Sequence, residues 1–173
     1  MLGSDSNFYG TDAVAEAEIF KLDAKGSETT LYGFSGESVW PQGPLVEGPD
    51  GDFYGTVGSG YSSNGPGYIF KITPKGVFTT IYTFCSQPGC SDGYNPNALA
   101  LGPDGNFYGT TEVGGPMNSL CSDFSAGGCG TVFKVTPAGT LTTLHSFCAS
   151  PNCSDGYYPG SWIYDGFNAA GAV

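Results

Sequence analysis

The feature that most constrains the fold of this 173-residue chain is a unit of roughly 50 residues that occurs three times. The first block of the unit reads SDSNFYGT at residues 4–11, PDGDFYGT at 49–56 and PDGNFYGT at 103–110. The second block reads IFKLDAKGSETTLYGF from Ile19, IFKITPKGVFTTIYTF from Ile69 and VFKVTPAGTLTTLHSF from Val132. The third unit is longer mainly because of an insertion between Thr111 and Gly130.

Each unit predicts four short antiparallel strands. A run led by proline, Pro44–Glu47 or Pro96–Leu101, precedes a GPDG turn, in which Asp-Gly is a strong hairpin signal. The second strand is NFYGT, the third is IFKIT or VFKVT, and the fourth is FTTIYTF or LTTLHSF. Between the third and fourth strands, TPKG or TPAG places proline and glycine where a turn accepts them. We therefore expect an all-β fold.

Such a sheet has a face that it cannot bury alone, so the units should stack or close into a ring. We expect one repeat domain over residues 1–173, with units at about 1–38, 39–90 and 91–153. Radial closure gives a β-propeller-like array of three four-stranded blades, fewer than the roughly four to eight blades that propellers need. The first unit lacks its proline-led inner strand, and the tail, residues 154–173, contains a degenerate version of it from Pro159. We expect this tail to complete the first blade of its own or a partner chain, and two chains to form a six-bladed C2 dimer.

The repeated blocks resemble the Gloeo/Verruco-type tandem repeat, with its pattern DGNFYGTT, GTVFKLTP and GTLTTLYSF. More distantly, they resemble the blade of NHL-type propellers. The first resemblance recurs in register three times and covers nearly the whole chain. It implies a secreted or cell-surface protein and indicates almost nothing about activity.

Composition narrows the partners of the chain. Its 5 Lys and Arg residues stand against 16 Asp and Glu residues, and the resulting charge of −11 disfavours nucleic acid and anionic membranes. No apolar run is long enough to insert into a membrane, and the start MLGSDSNFYG lacks the features of a signal peptide. Because that start falls inside a repeat, we expect a piece of a longer protein whose export signal lies elsewhere.

Six cysteines fall in three close pairs. The loops FCSQPGCSDGYNP and FCASPNCSDGYYP are equivalent, and the matching loop of the first unit, FSGESVWPQGP, lacks both cysteines together. Members of a bonded pair should be gained and lost together, which predicts local disulfides. The predicted pairs are Cys85–Cys90, Cys121–Cys129 and Cys148–Cys153. They favour an oxidising compartment. A metal site is not expected, because the spacings are not C-x2-C and the single histidine lies elsewhere.

The loops after the second and fourth strands should emerge on one face, which we call the loop rim. Such loops carry function on rigid scaffolds. The candidate ligand-binding residues on the loop rim are Trp40, Tyr61, Asp92, Tyr94, Asp155, Tyr157 and Tyr158. A carboxylate beside an aromatic ring suits a sugar or a cation. The alternative is that each Ser-Asp-Gly forms an Asx turn and the tyrosine packs on the disulfide.

Other polar residues have plainer explanations. Asp5, Asp50 and Asp104 could bind calcium, but their turn context accounts for them. The equivalent lysines, Lys21, Lys71 and Lys134, are expected on a solvated strand face.

His145 aligns with Tyr32 and Tyr82, so it should replace a packing aromatic residue. Together with Asp92 and Asp155, it is only a weak catalytic candidate. The sequence contains no G-x-S-x-G, H-E-x-x-H or P-loop pattern.

These patterns favour a secreted propeller-like module, whose loop rim holds a glycan, a surface protein or another copy of the chain. No cofactor is expected, except for the calcium option. The alternative is a propeller-type hydrolase acting on an ester, a lactone or a phosphotriester through a metal. Its weakness is that the inner strands offer only Glu47, Asn95 and Asn97 as nearby ligands.

Overall fold

The computed structural model describes residues 1–12, 17–34, 39–59, 65–121 and 127–160. These residues form three antiparallel sheets, in which the strands follow one another in chain order. The first sheet contains β1 (Phe8–Asp12), β2 (Glu18–Leu22) and β3 (Glu28–Gly33). The second contains β4 (Val39–Glu47), β5 (Phe53–Ser59), β6 (Tyr68–Ile72) and β7 (Phe78–Thr83). The third contains β8 (Tyr94–Leu101), β9 (Phe107–Val113), β10 (Thr131–Val135) and β11 (Leu141–Ser146).

The predicted all-β class and the repeated antiparallel sheets are confirmed. The first sheet has three strands in the described residues, and Leu2 forms only an isolated bridge with Phe8 where the other sheets have an inner strand. The described sheets form an open array. The predicted role of the tail involves mainly residues 161–173, which lie outside the described residues.

The turns and irregularities repeat with the sequence. The glycines of the two GPDG turns, Gly51 and Gly105, have φ values of 77° and 75°, which glycine adopts without strain. A register shift between the third and fourth strands follows Ile19, Ile69 and Val132 alike. It occurs in every unit, so this β-bulge is a regular feature of the repeat and not a local defect.

The core lies between neighbouring sheets, and it follows from the Phe-Tyr pair of each second strand. Successive strand residues point to opposite faces, so phenylalanine faces the preceding sheet and tyrosine the following one. The Tyr9 and Phe53 rings stack with centroids 3.9 Å apart, and those of Tyr54 and Phe107 lie 4.2 Å apart. The inner strand β4 contacts β1 as well as β8, so the three sheets are arranged side by side around the inner strands.

Three short 3-10 turns complete the described structure, at Pro88–Cys90, Ser119–Cys121 and Pro151–Cys153. Among the described residues there is no helix long and apolar enough to cross a membrane.

Candidate functional site

The loop rim is held by the three predicted disulfides, which the structure confirms. Cys85–Cys90 closes the loop after β7, and Cys148–Cys153 closes the equivalent loop after β11. Cys121–Cys129 closes the insertion of the third unit. Sulfur atoms of Cys121, Cys129 and Cys148 lie within 4.8 Å of one another, so the insertion packs directly on the neighbouring disulfide loop.

Asp92 organises the loop after β7 from inside. The residue is 3% exposed, and its carboxylate accepts hydrogen bonds from the backbone N–H groups of Ser86 (3.0 Å) and Gln87 (3.2 Å). The Tyr82 hydroxyl donates a third bond, at 2.7 Å. Desolvation first, and then Asp92, raise the pKa of Tyr82 to about 12. The carboxylate therefore faces the backbone of its own loop, at residues five and six positions before it rather than at the turn that follows it.

Asp155 repeats this arrangement in the third unit. It accepts hydrogen bonds from the N–H groups of Ala149 and Ser150, both at 3.1 Å. Desolvation raises the pKa of Asp155, but these bonds and the nearby His145 outweigh it and lower the pKa. Nε2 of His145 lies 3.2 Å from an Asp155 oxygen, where the second unit has the Tyr82 hydroxyl on Asp92.

His145 thus stands in the tyrosine position of the repeat, packed edge-on against Phe147 with centroids 5.0 Å apart. The sequence alignment placed His145 correctly but missed its contact with Asp155. The signal was the ten-residue spacing that His145 and Asp155 share with Tyr82 and Asp92.

In the part of the loop rim that the structure describes, two aromatic rings are open to solvent. Trp40, near the start of β4, is 44% exposed, and Tyr157, just after the Cys148–Cys153 loop, is 60% exposed. Tyr94 and Tyr158 are half-buried. Tyr61 lies outside the described residues. Of the aromatic candidates that the structure describes, Trp40 and Tyr157 are therefore the most accessible.

The insertion adds exposed apolar residues that the sequence analysis overlooked. Met117 is 80% exposed and Leu120 is 65% exposed. Between them, the Asn118 amide donates a hydrogen bond to the Cys148 carbonyl at 3.2 Å and ties the insertion to the neighbouring loop. In the described part of the insertion, Met117 and Leu120 are thus exposed on a segment that is tied to the disulfide loop.

On the opposite, turn face, aspartate, tyrosine and lysine form a repeated cluster. Asp50 accepts hydrogen bonds from the Tyr54 hydroxyl and from Lys71 Nζ, both at 2.8 Å. Asp5 does the same with Tyr9 at 2.8 Å and Lys21 at 3.2 Å. Lys21 and Lys71 are therefore ion-paired rather than merely solvated, and these turn carboxylates already have protein donors.

Burial and this pairing together shift the pKa values in the cluster of Asp50, Tyr54 and Lys71. Desolvation raises the pKa of Asp50, but hydrogen bonds from Lys71 and Tyr54 outweigh it and lower the pKa. Desolvation and then Asp50 raise the pKa of Tyr54 to about 12. Hydrogen bonds to Asp50 and Asp52 raise the pKa of Lys71.

The polar residues of the inner strands are also engaged. Glu47 accepts hydrogen bonds from the backbone N–H and the hydroxyl of Ser4. The Asn97 amide donates to the Thr110 hydroxyl (3.0 Å) and to the Pro159 carbonyl (2.8 Å). The Asn95 amide donates to Glu112, a carboxylate that the sequence analysis did not single out.

Comparison with known proteins agrees with this architecture. No curated protein matches the sequence significantly. Among solved structures, the chain is similar to the X-ray structure of a candidate gluconolactonase, with a TM-score of 0.54 and 14% sequence identity. The match covers 90% of this chain and 50% of the other, so this chain spans about half the length of that protein. At this identity the likeness shows a propeller-like fold alone. The model of the Gloeobacter/Verrucomicrobia repeat matches residues 1–122, and the chain belongs to this repeat family.

Proposed function

We propose that this chain is an extracellular binding module whose loop rim holds a carbohydrate on exposed aromatic rings. The observation that carries the proposal is the exposure of Trp40 and Tyr157 on that rim. Tryptophan and tyrosine offer a large amphipathic contact area and lose little conformational entropy on binding. An exposed ring gives a sugar an apolar face to stack on, while the loop backbone and nearby hydroxyls satisfy its polar edges.

The loops are suited to binding because they are held in one conformation before a ligand arrives. A disulfide closes the loop that precedes Tyr157, and Asp155 bonds two of its N–H groups. Pre-organisation of this kind raises affinity by lowering the entropy lost on binding. Disulfides and the repeat family both fit an extracellular setting.

The charge of the chain narrows the ligand class. A net charge of −11 repels sulfated glycans and polyuronates at physiological salt. The ligand best suited to this surface is therefore a neutral polysaccharide.

The proposal is tested by calorimetric titration of the chain with a panel of neutral polysaccharides. Trp40→Ala and Tyr157→Ala should each weaken binding about tenfold or more, the effect of losing a contact of roughly 1.4 kcal/mol. Val77→Ala is the matched control, because Val77 is 62% exposed in the turn before β7, away from the loop rim. Wild-type affinity in both rim variants, or no binding by the wild type, would contradict the proposal.

A second candidate function is hydrolysis of an ester or a lactone. The observation in its favour is the Asn95–Glu112 pair beside the inner strand β8, in a fold that a candidate gluconolactonase shares. The Glu112 carboxylate, with the oxygen of the Asn95 amide that donates to it, could contribute ligands to a divalent metal that activates water. Chelator-sensitive turnover that Glu112→Gln abolishes and Glu47→Gln preserves would favour this function over binding.

A further inference from the structure

Neighbouring sheets pack by one rule, in which the tyrosine of one sheet contacts the phenylalanine of the next. Among the described residues, the outward faces of the first and third sheets have no neighbouring sheet to complete such a contact. Tyr9 of the first sheet stacks on Phe53 of the second, and Tyr54 of the second packs on Phe107 of the third. By the same rule, Phe8 lies on the outward face of the first sheet and Tyr108 on the outward face of the third. Phe53 and Phe107 are at most 1% exposed, whereas their equivalent Phe8 is 49% exposed.

Residues on the outward face of the third sheet are more exposed than their equivalents on the second sheet, which are covered by the third sheet. Phe147 is half-buried, whereas its equivalent Phe84 is 1% exposed and packs against Phe133. Leu144 is 50% exposed, whereas its equivalent Ile81 packs against the core between the second and third sheets. The outward faces of the first and third sheets therefore carry the two complementary halves of a further interface, like those between neighbouring sheets of the chain.

One pair of equivalent positions carries aromatic or apolar residues between the sheets, but a basic and an acidic residue on the outward faces. Between the first and second sheets, Tyr32 stacks on Phe78 with centroids 3.9 Å apart. Between the second and third sheets, Tyr82 and Leu141 belong to the same apolar cluster. The equivalent residues on the outward faces are His145 on the third sheet and Glu28 on the first. An apolar pair inside the array thus corresponds to a basic and an acidic residue at its ends.

The place where the chain leaves the third sheet also indicates a further interface. Where the second unit meets the third, Pro96 at the start of β8 lies against Gly67, and the Thr56 hydroxyl donates to the Asn97 carbonyl. At the end of the third unit, Pro159 lies equivalently against Gly130. The chain therefore leaves the third sheet where the inner strand of a following sheet would begin, and the first sheet has no such strand among the described residues.

We propose that the outward face of the third sheet docks on the outward face of the first sheet of a second copy of this chain. Tyr108 packs on Phe8 of the other copy, and His145 lies beside Glu28. The contact is head-to-tail, so it closes into a ring of two copies if the rotation per sheet allows, and otherwise gives open chains. The proposal does not rest on the carbohydrate site, because Phe8, Glu28 and Leu144 lie at the ends of the array, although His145 also contacts Asp155 of the loop rim.

The test is the mass of the 173-residue chain in solution, measured by light scattering at micromolar concentration. The wild type should show twice the 17.9 kDa of one chain, or larger multiples if the ring stays open. Phe8→Glu and Leu144→Glu should each reduce the mass to that of one chain, because each buries a charge in one half of the interface. Glu28→Lys should weaken association, and Val77→Glu should leave it unchanged. Circular dichroism checks that every variant is folded.

Mixing the variants distinguishes a head-to-tail contact from a symmetric one. In an equimolar mixture, the intact third sheet of the Phe8→Glu chain can dock on the intact first sheet of the Leu144→Glu chain. The mixture should therefore regain the two-copy mass, with weaker affinity than the wild type. A single-chain mass for the wild type, resistance of its larger mass to both substitutions, or failure of the mixture to associate would each overturn the proposal.

Discussion

Asp92 and Asp155 hold equivalent loops, but the loop after β7 depends more strongly on its carboxylate. Asp92 is almost fully buried and also receives the Tyr82 hydroxyl, whereas the Asp155 side chain is 17% exposed. We expect Asp92→Asn to lower the free energy of unfolding by about 2 kcal/mol, because the amide replaces an acceptor of charge-assisted bonds with a donor. Asp155→Asn should lower it less, because part of the Asp155 side chain is exposed to water. Urea denaturation of both variants measures the difference, and equal costs would contradict this account.

At the residue scale, features that repeat between the units could be predicted from the sequence. Contacts that depend on the direction of a side chain could not. The three disulfides followed from the joint gain and loss of cysteines between units. The pairing of Lys71 with Asp50 did not, because the two residues are 21 positions apart and meet only when β5 lies between the turn and β6. The constant spacing of aspartate, tyrosine and lysine in the units was the available signal.

At the scale of elements, strand order was predictable and the extent of β4 was not. The prolines led us to begin the inner strand at Pro44, but β4 starts at Val39. A register shift between Gln42 and Val46, with Gly43 at a φ of 70°, lets the strand bend around these prolines. Bulges and edge strands are where a sheet accepts proline, and local composition does not reveal how far pairing continues beyond it.

Phe53 and Phe8 provide a matched test of packing between sheets. Phe53→Ala should lower the free energy of unfolding by about 3 to 5 kcal/mol, because it empties a filled space between the first two sheets. Phe8→Ala should cost less than about 1 kcal/mol in a single copy, because the ring is half exposed. Thermal unfolding at low protein concentration, where copies are separate, compares the two variants. Similar losses would show that Phe8 is already covered within one chain.

At the scale of the whole molecule, the acidic charge makes stability depend on pH. The pKa of Asp50 is lowered in the folded protein, so the folded state binds its proton less readily than the unfolded state. Its contribution to stability is present above the unfolded pKa of about 4 and disappears as pH falls through the lower folded value. Asp5 and Asp104 shift in the same direction.

We therefore expect the free energy of unfolding to fall between about pH 5 and pH 2. Asp50→Asn should be less stable than the wild type at pH 7 and should lose less stability on acidification, because the amide does not titrate. Urea denaturation across this range measures both slopes. Identical slopes for the two proteins would rule out Asp50 as a source of the acid sensitivity.

The Phe-Tyr step in each second strand also bears on how such chains change length. Phe53 and Tyr54 are neighbours in sequence but face different sheets, so one short segment encodes both halves of the contact. A gene duplication that copies a single unit therefore supplies a compatible pair of faces at once. An array packed in this way can gain or lose whole units without evolving a new interface each time.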